Sequence, residues 1–404
     1  REKIVEKLQA KGLVEKIEDY THNISTAERS GGTVEPQIMK QWFVAVNKPF
    51  NHFGKETTLK NLMRSAIESK ETTIIPDRFE KIYFHWIENL RDWCISRQIW
   101  YGHRIPVWYK GEEIYVGVEA PEGNDWVQDE DTLDTWFSSG MWTFSTLGWP
   151  EKTNDVETFH PTSLLETGHD ILFFWVARMI LMTGYTLGTV PFSSVYFNGI
   201  VRDMQGRKMS KSLGNGGDPI EMSEKYGADA LRMFYAMSTA PGTDCKLDEN
   251  KIKGFKHFSN KLWNITRFIL TIAEEQKEIL HTAYNESFSE WTPKDSELIQ
   301  SRNELITTIT KEISELKYHL ASEKIYQYVW STFADVILEE SKIIFNGRLE
   351  RKDPTEPENP APRMLLSSLN PKVFTPVVAA MFVLPVATSL VNPASAPKLP
   401  ALLY

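Results

Sequence analysis

The chain has 404 residues, 41% hydrophobic and 25% charged, with a formal net charge of -9. That is a globular composition long enough for two or three cores. The acidic total argues against a protein that coats nucleic acid through uniform positive charge, though it allows local basic patches. The two cysteines, Cys94 and Cys245, are far apart and argue against a disulfide framework or a cysteine-based zinc site.

Residues 1–46 open on "REKIVEKLQAKG", a charged amphipathic helix without the apolar core of a signal peptide. Extended segments follow, with a turn signal at Ser30–Gly32, and end in "KQWFVAV". The chain does not start with Met, which gives the expectation that it begins within a longer protein. Next, "RFEKIYFHWIENLRDWCISRQ" carries apolar residues at helical spacing, and "WYGHRIPVWY" breaks that pattern at Gly102 and Pro106. Thirteen tryptophans, many between Trp86 and Trp175, suit either core or a deep apolar pocket.

Residues 159–201 read as strand, helix, strand. "TSLLETG" closes on Gly168, "DILFFWVARMILMTGYTLG" opens at Asp170 as an N-cap, and "SSVYFNGIV" returns. This order implies a parallel sheet, with ligand sites at the carboxyl ends of its strands. Glu166–Asp170 and Asn198–Ser212 both fall there. "GADALRMFYAM" is a further helix. Residues 258–350 are helical by pattern. One stripe runs Leu298, Leu305, Ile309, Ile313, Leu316 and Leu320, and another Ile325, Tyr328, Val329, Trp330, Phe333 and Ile337, which predicts a helical bundle. From residue 353 onward prolines recur and acidic residues stop at Glu358. That tail reads as disordered or aberrant, its 19 apolar positions interrupted by Pro376 and Pro385, and no stable membrane association is expected.

Chemistry gathers at "GRKMSKSLGN". Lys208 and Lys211 follow a strand and a tight turn at Gly206, beside Ser210 and Ser212. Ammonium groups on a small, movable loop suit a polyphosphate whose charge shifts during reaction. The alternative is an exposed basic turn. Gly168 allows close backbone approach to a nucleoside, and Glu166 or Asp170 could bind ribose hydroxyls. Ile171 and Trp175, four apart on the following helix, could wall a small apolar pocket with Trp136. Asp131 and Asp134 are read as loop caps or pocket supports in preference to metal ligands, and His169 as a weak candidate that is simply exposed.

The string "KMSKS" resembles the second signature of the class I aminoacyl-tRNA synthetases. "WCISRQIWYGHRIPVWY", "DTLDTWFSSGMWTFSTLGWP", "FHPTSLLETGHDILFFWVARM" and "VRDMQGRKMSKSLGN" resemble its valine-specific members over about residues 1–352. The isoleucine-specific members are the nearest rival; a tRNA-binding relative without chemistry is a more distant one. The resemblance implies an α/β fold: the second half of a Rossmann-like nucleotide-binding fold, then an all-α anticodon-binding bundle. It divides the chain into 1–46 (the return from an inserted editing domain), 47–257 (catalytic), 258–352 (bundle) and a tail of 353–404. It implies valine activation with ATP and Mg2+, then transfer to tRNA(Val), in the cytoplasm. Lys208 and Lys211 become catalytic, and Glu166, Gly168, Asp170, Lys208, Ser210, Lys211 and Ser212 ATP-binding. Trp136, Ile171 and Trp175 become valine-binding, and no metal-binding residue is expected.

Two departures stand out. The family's first signature is absent, "HFGK" at His52–Lys55 being a decoy. This implies that an N-terminal half of the enzyme is needed for activity. In "GNGGDP", Gly216 and Gly217 stand where two apolar residues are usual, which implies a looser loop.

Overall fold

A computed structural model describes residues 2–27, 30–209, 214–275 and 293–342. The expectations for the tail, residues 353–404, lie outside the described residues, as do Ser210, Lys211 and Ser212.

A three-stranded parallel sheet organises the first core. Its strands are β1 (Thr73–Ile75), β2 (Thr162–Gly168) and β3 (Phe192–Asn198), in the order β2-β3-β1. Glu166 is level with Tyr196, and Gly168 with Asn198, so both β2 and β3 end at the same edge. Along β2 the buried residues are Leu165 and Thr167, while Glu166 points to the other face, the alternation a pleated strand imposes.

Helices cover the core face of this sheet. In α1 (Leu59–Glu68), Thr58 caps the first turn by accepting from the amide of Asn61 at 3.0 Å, and Leu59, Met63, Ala66 and Ile67 share one buried stripe. In α2 (Arg78–Glu88), Phe79, Tyr83 and Ile87 do the same, and the Tyr83 hydroxyl donates to the Met63 carbonyl at 2.9 Å. α2 ends at Glu88, short of the helical run expected through "NLRDWCISRQ". Beyond it the chain is extended: Trp93–Cys94 pairs with Phe43–Val44, and Ser96–Arg97 with Thr132–Leu133. Trp93 and Ser96 are buried there with Cys94 and Ile95 part-buried between them, and strand pairing overrides the local spacing.

The helix expected to open at Asp170 also differs. His169–Ile171 forms a 3-10 turn, Leu172–Val176 a π turn, and only α3 (Ala177–Leu187) is α-helical. Gly168 is the capping residue and has no side chain to cap with, so Asp170 is inside the first turn and free to reach elsewhere. Residues His169–Leu187 have the length and apolarity of a membrane span, but Leu172, Val176, Met179 and Ile180 are used in the core.

After β3, the two-residue strand β4 (Val201–Arg202) pairs in parallel with β5 (Cys245–Lys246). Helices α4 (Pro219–Tyr226) and α5 (Ala228–Ser238) lie between them in sequence. Helix α6 (Glu249–Glu275) then runs through two cores. Ile252 packs with Met222, Ala230, Leu231 and Phe234, whereas Phe258, Ile265 and Ile269 pack with α7 (Pro293–Ser314) and α8 (Tyr318–Gln327). The expected division at 257/258 therefore falls inside one continuous helix. The stripe from Leu298 to Leu320 is not one helix either: Leu316 takes a positive φ of 59° between α7 and α8. Leu305, Ile309 and Ile313 reach the core from α7, and a π-helical stretch, Tyr328–Ile337, contributes Val329 and Ala334.

Candidate active site

The site lies where β2 and β3 end. A Cβ on Gly168 would come within 2.8 Å of Asp170 Oδ1 and 3.2 Å of Ile200 Cδ1, so glycine here lets the Asp170 carboxylate lie close against the backbone. Beside it, the buried Asn198 Oδ1 has no hydrogen-bond partner among the described residues. A buried acceptor left open at a strand end is suited to a ligand donor.

Asp170 accepts a hydrogen bond from Lys208 Nζ at 3.0 Å. Two residues 38 positions apart, singled out separately in the sequence, thus meet at the strand ends. The segment carrying Lys208 is held from below. Gly206, with φ +82°, closes the turn Asp203–Gly206, and Lys208 bridges back to Arg202. The buried Asp203 accepts from Asn215, from the Arg207 amide and from the Arg207 guanidinium. The Asn215 hydrogen bond outweighs desolvation and, with the Arg207 contacts, brings the Asp203 carboxyl down to about 2. Asn215 also donates to the Lys208 carbonyl at 3.3 Å. At Gly217, an added Cβ would meet Leu247 Cδ2 at 2.6 Å, so this glycine fits a close approach that a larger residue would disturb.

Glu166 lies two residues before Gly168 on the same face of β2, opposite the buried Leu165 and Thr167, and is level with Tyr196, whose ring meets Tyr318 of α8 edge-on at 6.4 Å. Desolvation raises the Glu166 carboxyl.

The tryptophans expected to wall a pocket are each held by other residues. Trp136 stacks on Phe174 at 5.7 Å, and Trp175 Nε1 donates to the Ser139 carbonyl at 3.0 Å while its ring meets Trp142. Trp136, in the first turn of the short helix Thr135–Gly140, and Trp175, bonded to Ser139 near its end, are thus held through separate partners. Ile171 closes the 3-10 turn and Trp175 lies in the π turn, so the stretch carrying the pair is not α-helical. Phe174, an exposed ring beside Trp136, was invisible to the four-residue spacing. Asp134 supports this region. It caps Thr135–Gly140 through the Trp136 amide, accepts from Trp93 Nε1 at 3.0 Å and pairs with Arg97 at 2.9 Å. Asp131 accepts from Gln98. No group of three or more His, Cys, Asp or Glu residues among the described residues could hold a metal ion.

His169, expected to be exposed, is half-buried, stacked on Phe79 and bonded to Asp244 at 3.0 Å. Asp244, Arg202 and Asn198 were assigned no role in the sequence. Arg202 and Asn198 stood in strings already singled out, but Asp244, in "PGTDC", carries no motif. In the bundle, Lys261 pairs with Asp335 and covers Trp330, Lys324 pairs with Glu312, and Lys256 donates to the Lys225 carbonyl. These lysines are engaged within the chain.

A family model described as tRNA synthetases class I (I, L, M and V) matches residues 6–127 and 118–248. The valine–tRNA ligase of Clostridium acetobutylicum is 42% identical over 359 residues, covering 87% of this chain and 39% of the relative. That of Bacillus licheniformis is 44% identical over 359 residues, again covering 87% of the chain and 39% of the relative. The chain thus spans about two fifths of the length of these relatives. Among solved structures, apo Mycobacterium tuberculosis methionyl-tRNA synthetase superposes with TM-score 0.58 at 16% identity, covering 91% of this chain and 64% of that one. Its complex with methionyl-adenylate gives 0.55 at 18%, covering 84% and 65%. At such identities the likeness is one of fold.

Proposed function

The chain belongs to the class I tRNA synthetases (I, L, M and V), and from that premise we propose that it is the signature-loop and bundle portion of a valine–tRNA ligase. The observation that carries this reading is the Asp170–Lys208 contact at the ends of β2 and β3, beside Gly168, where the Asp170 carboxylate approaches the backbone, and the open acceptor of Asn198. The identity to valine–tRNA ligases supports the choice of amino acid.

In the proposed reaction a valine carboxylate oxygen attacks the α-phosphorus of ATP. The bond to the bridging oxygen breaks and pyrophosphate leaves. Valyl-adenylate then passes its acyl group to a ribose hydroxyl at the 3′ end of tRNA(Val), releasing AMP. The protein's share is positioning and charge neutralisation. Gly168 lets the nucleoside lie against the backbone, Asn198 Oδ1 accepts one of its donors, and Asp170 takes a ribose hydroxyl. Glu166, two residues before Gly168 on the same face of the strand, is the second carboxylate proposed for the nucleoside. Lys208 exchanges Asp170 for phosphate oxygens, and Lys211, with Ser210 and Ser212, joins it on the leaving pyrophosphate. Trp136, Ile171 and Trp175, with Phe174, line the site for the valine side chain. Magnesium would arrive on the triphosphate oxygens. Helices α6 to α8 are the proposed tRNA-binding part, and the cytoplasm the proposed compartment.

The test is valine-dependent exchange of labelled pyrophosphate into ATP, run on this chain alone and on the full-length protein. Exchange by the full-length protein only is the expected result. Exchange with isoleucine in preference to valine would overturn the amino-acid assignment.

A further inference from the structure

We infer that Asp244 is a positioning residue that locks the turn Gly168–Asp170 to the strand from which the lysine segment leaves. The inference rests on the nucleotide reading above and extends it to a residue that does not touch the substrate.

The two oxygens of Asp244 divide their work. Oδ1 accepts from the Ile200 amide at 2.8 Å and lies 3.0 Å from His169 Nε2, and Oδ2 accepts from Arg202 Nε at 2.5 Å. The His169 arm fixes the turn that carries Asp170, and the Phe79 ring stacked on the imidazole at 5.6 Å holds its plane. The Arg202 arm fixes the lysine segment, because Arg202 bridges to Lys208 and its Nη1 donates to the Gly206 carbonyl at 3.3 Å. One carboxylate therefore connects the neighbours of both members of the Asp170–Lys208 pair, which are otherwise separated by the whole of α3 and β3.

Asp244 is itself held in place. Its neighbour Thr243 presses so close to Gly199 that a Cβ there would lie 1.8 Å from the Thr243 carbonyl oxygen, and Cys245 continues into β5 beside β4. Three donors meet the carboxylate, a number that asparagine, with one acceptor oxygen and an NH2 group, cannot satisfy. Burial works against its ionisation. The Ile200 amide, His169 and Arg202 outweigh burial and hold the Asp244 carboxyl at about 2, so it is charged at neutral pH.

The test uses the full-length protein with Asp244→Ala, Asp244→Asn, His169→Ala and Arg202→Ala. KM for ATP, KM for valine and kcat are measured in pyrophosphate exchange, ATP affinity by direct titration, and the thermal midpoint alongside. The expected result is a KM for ATP raised about tenfold in Asp244→Ala, the scale of one lost charge-assisted hydrogen bond. KM for valine should be unchanged, and Asp244→Asn should fall between Asp244→Ala and wild type. His169→Ala and Arg202→Ala should each give a smaller rise that disappears in the Asp244→Ala background. An unchanged KM for ATP, an equal rise in both KM values, or fully additive effects would overturn the inference. If Asp244→Ala does not fold, Asp244→Asn with an unaltered thermal midpoint carries the same comparison. If the full-length protein does not exchange with valine, the ATP titration still reads both arms, and only the amino-acid assignment falls. Failure of the wild type to bind ATP would overturn both.

Discussion

Lys208 has two partners to choose between, Asp170 in the structure and a phosphate in the proposed reaction. Its pair with Asp170 is largely exposed, and such pairs contribute about 0–1 kcal/mol to stability. Lys208→Ala should therefore leave the thermal midpoint nearly unchanged while lowering kcat for pyrophosphate exchange about a hundredfold, the usual effect of removing a group that stabilises developing charge. A loss in exchange no larger than the loss in folded protein would show that the lysine is structural. Two other carboxylates contribute to acid stability. Asp203 and Asp244 titrate at about 2 in the folded chain, against an ordinary value of 3.8. Both are lowered, so the unfolded chain binds more protons between these values. Their contribution is complete above about pH 4 and is lost as pH falls towards 2. Urea midpoints measured from pH 5.5 to 3 should fall in the wild type and fall less steeply in Asp203→Asn.

At the scale of elements, the site depends on how β3 leaves the sheet and how the chain turns after β2. Gly199→Ala places a methyl against the backbone of Thr243 and cannot be relieved by rotating a side chain. It should cost about 1–3 kcal/mol or more, visible as a lowered denaturant midpoint. Gly168→Ala meets the Asp170 carboxylate instead, which can move. Its expected signature is a several-fold rise in KM for ATP with little change in stability, since the displaced group is the one that faces Lys208. The turn after Gly168 was legible as a helix start in "TGHD" but not in its form. In the 3-10 and π turns Asp170 is engaged by Lys208, a partner 38 residues away, and the rings of Phe174 and Trp175 are directed to Trp136 and Ser139.

At the scale of the whole molecule, α6 ties the parts together. Ile252 is fully buried in the small core around Phe234, while Phe258, two turns on, belongs to the helical core with Ile309 and Val329. Ile252→Ala should cost about 2–5 kcal/mol, and because the helix is continuous the loss should appear in both regions. Amide exchange should quicken in α5 and in α8 together. Exchange that quickens in α5 alone would mean the two cores open independently.

What the sequence determined by itself was local. The strand, helix, strand order from "TSLLETG" to "SSVYFNGIV" pointed to the parallel strands, the spacing of Phe79, Tyr83 and Ile87 to a buried helix face, and "GRKMSKSLGN" located the lysine segment. Each is written in neighbouring residues, where backbone geometry alone sets the period. What only the tertiary structure decided was long-range. The meeting of Asp170 with Lys208, the end of α2 at Glu88 and the three-way hold on Asp244 all join segments distant in sequence. Hydrogen bonds and packing across such separations depend on where the strands and helices come to lie, and no periodicity in the chain records that.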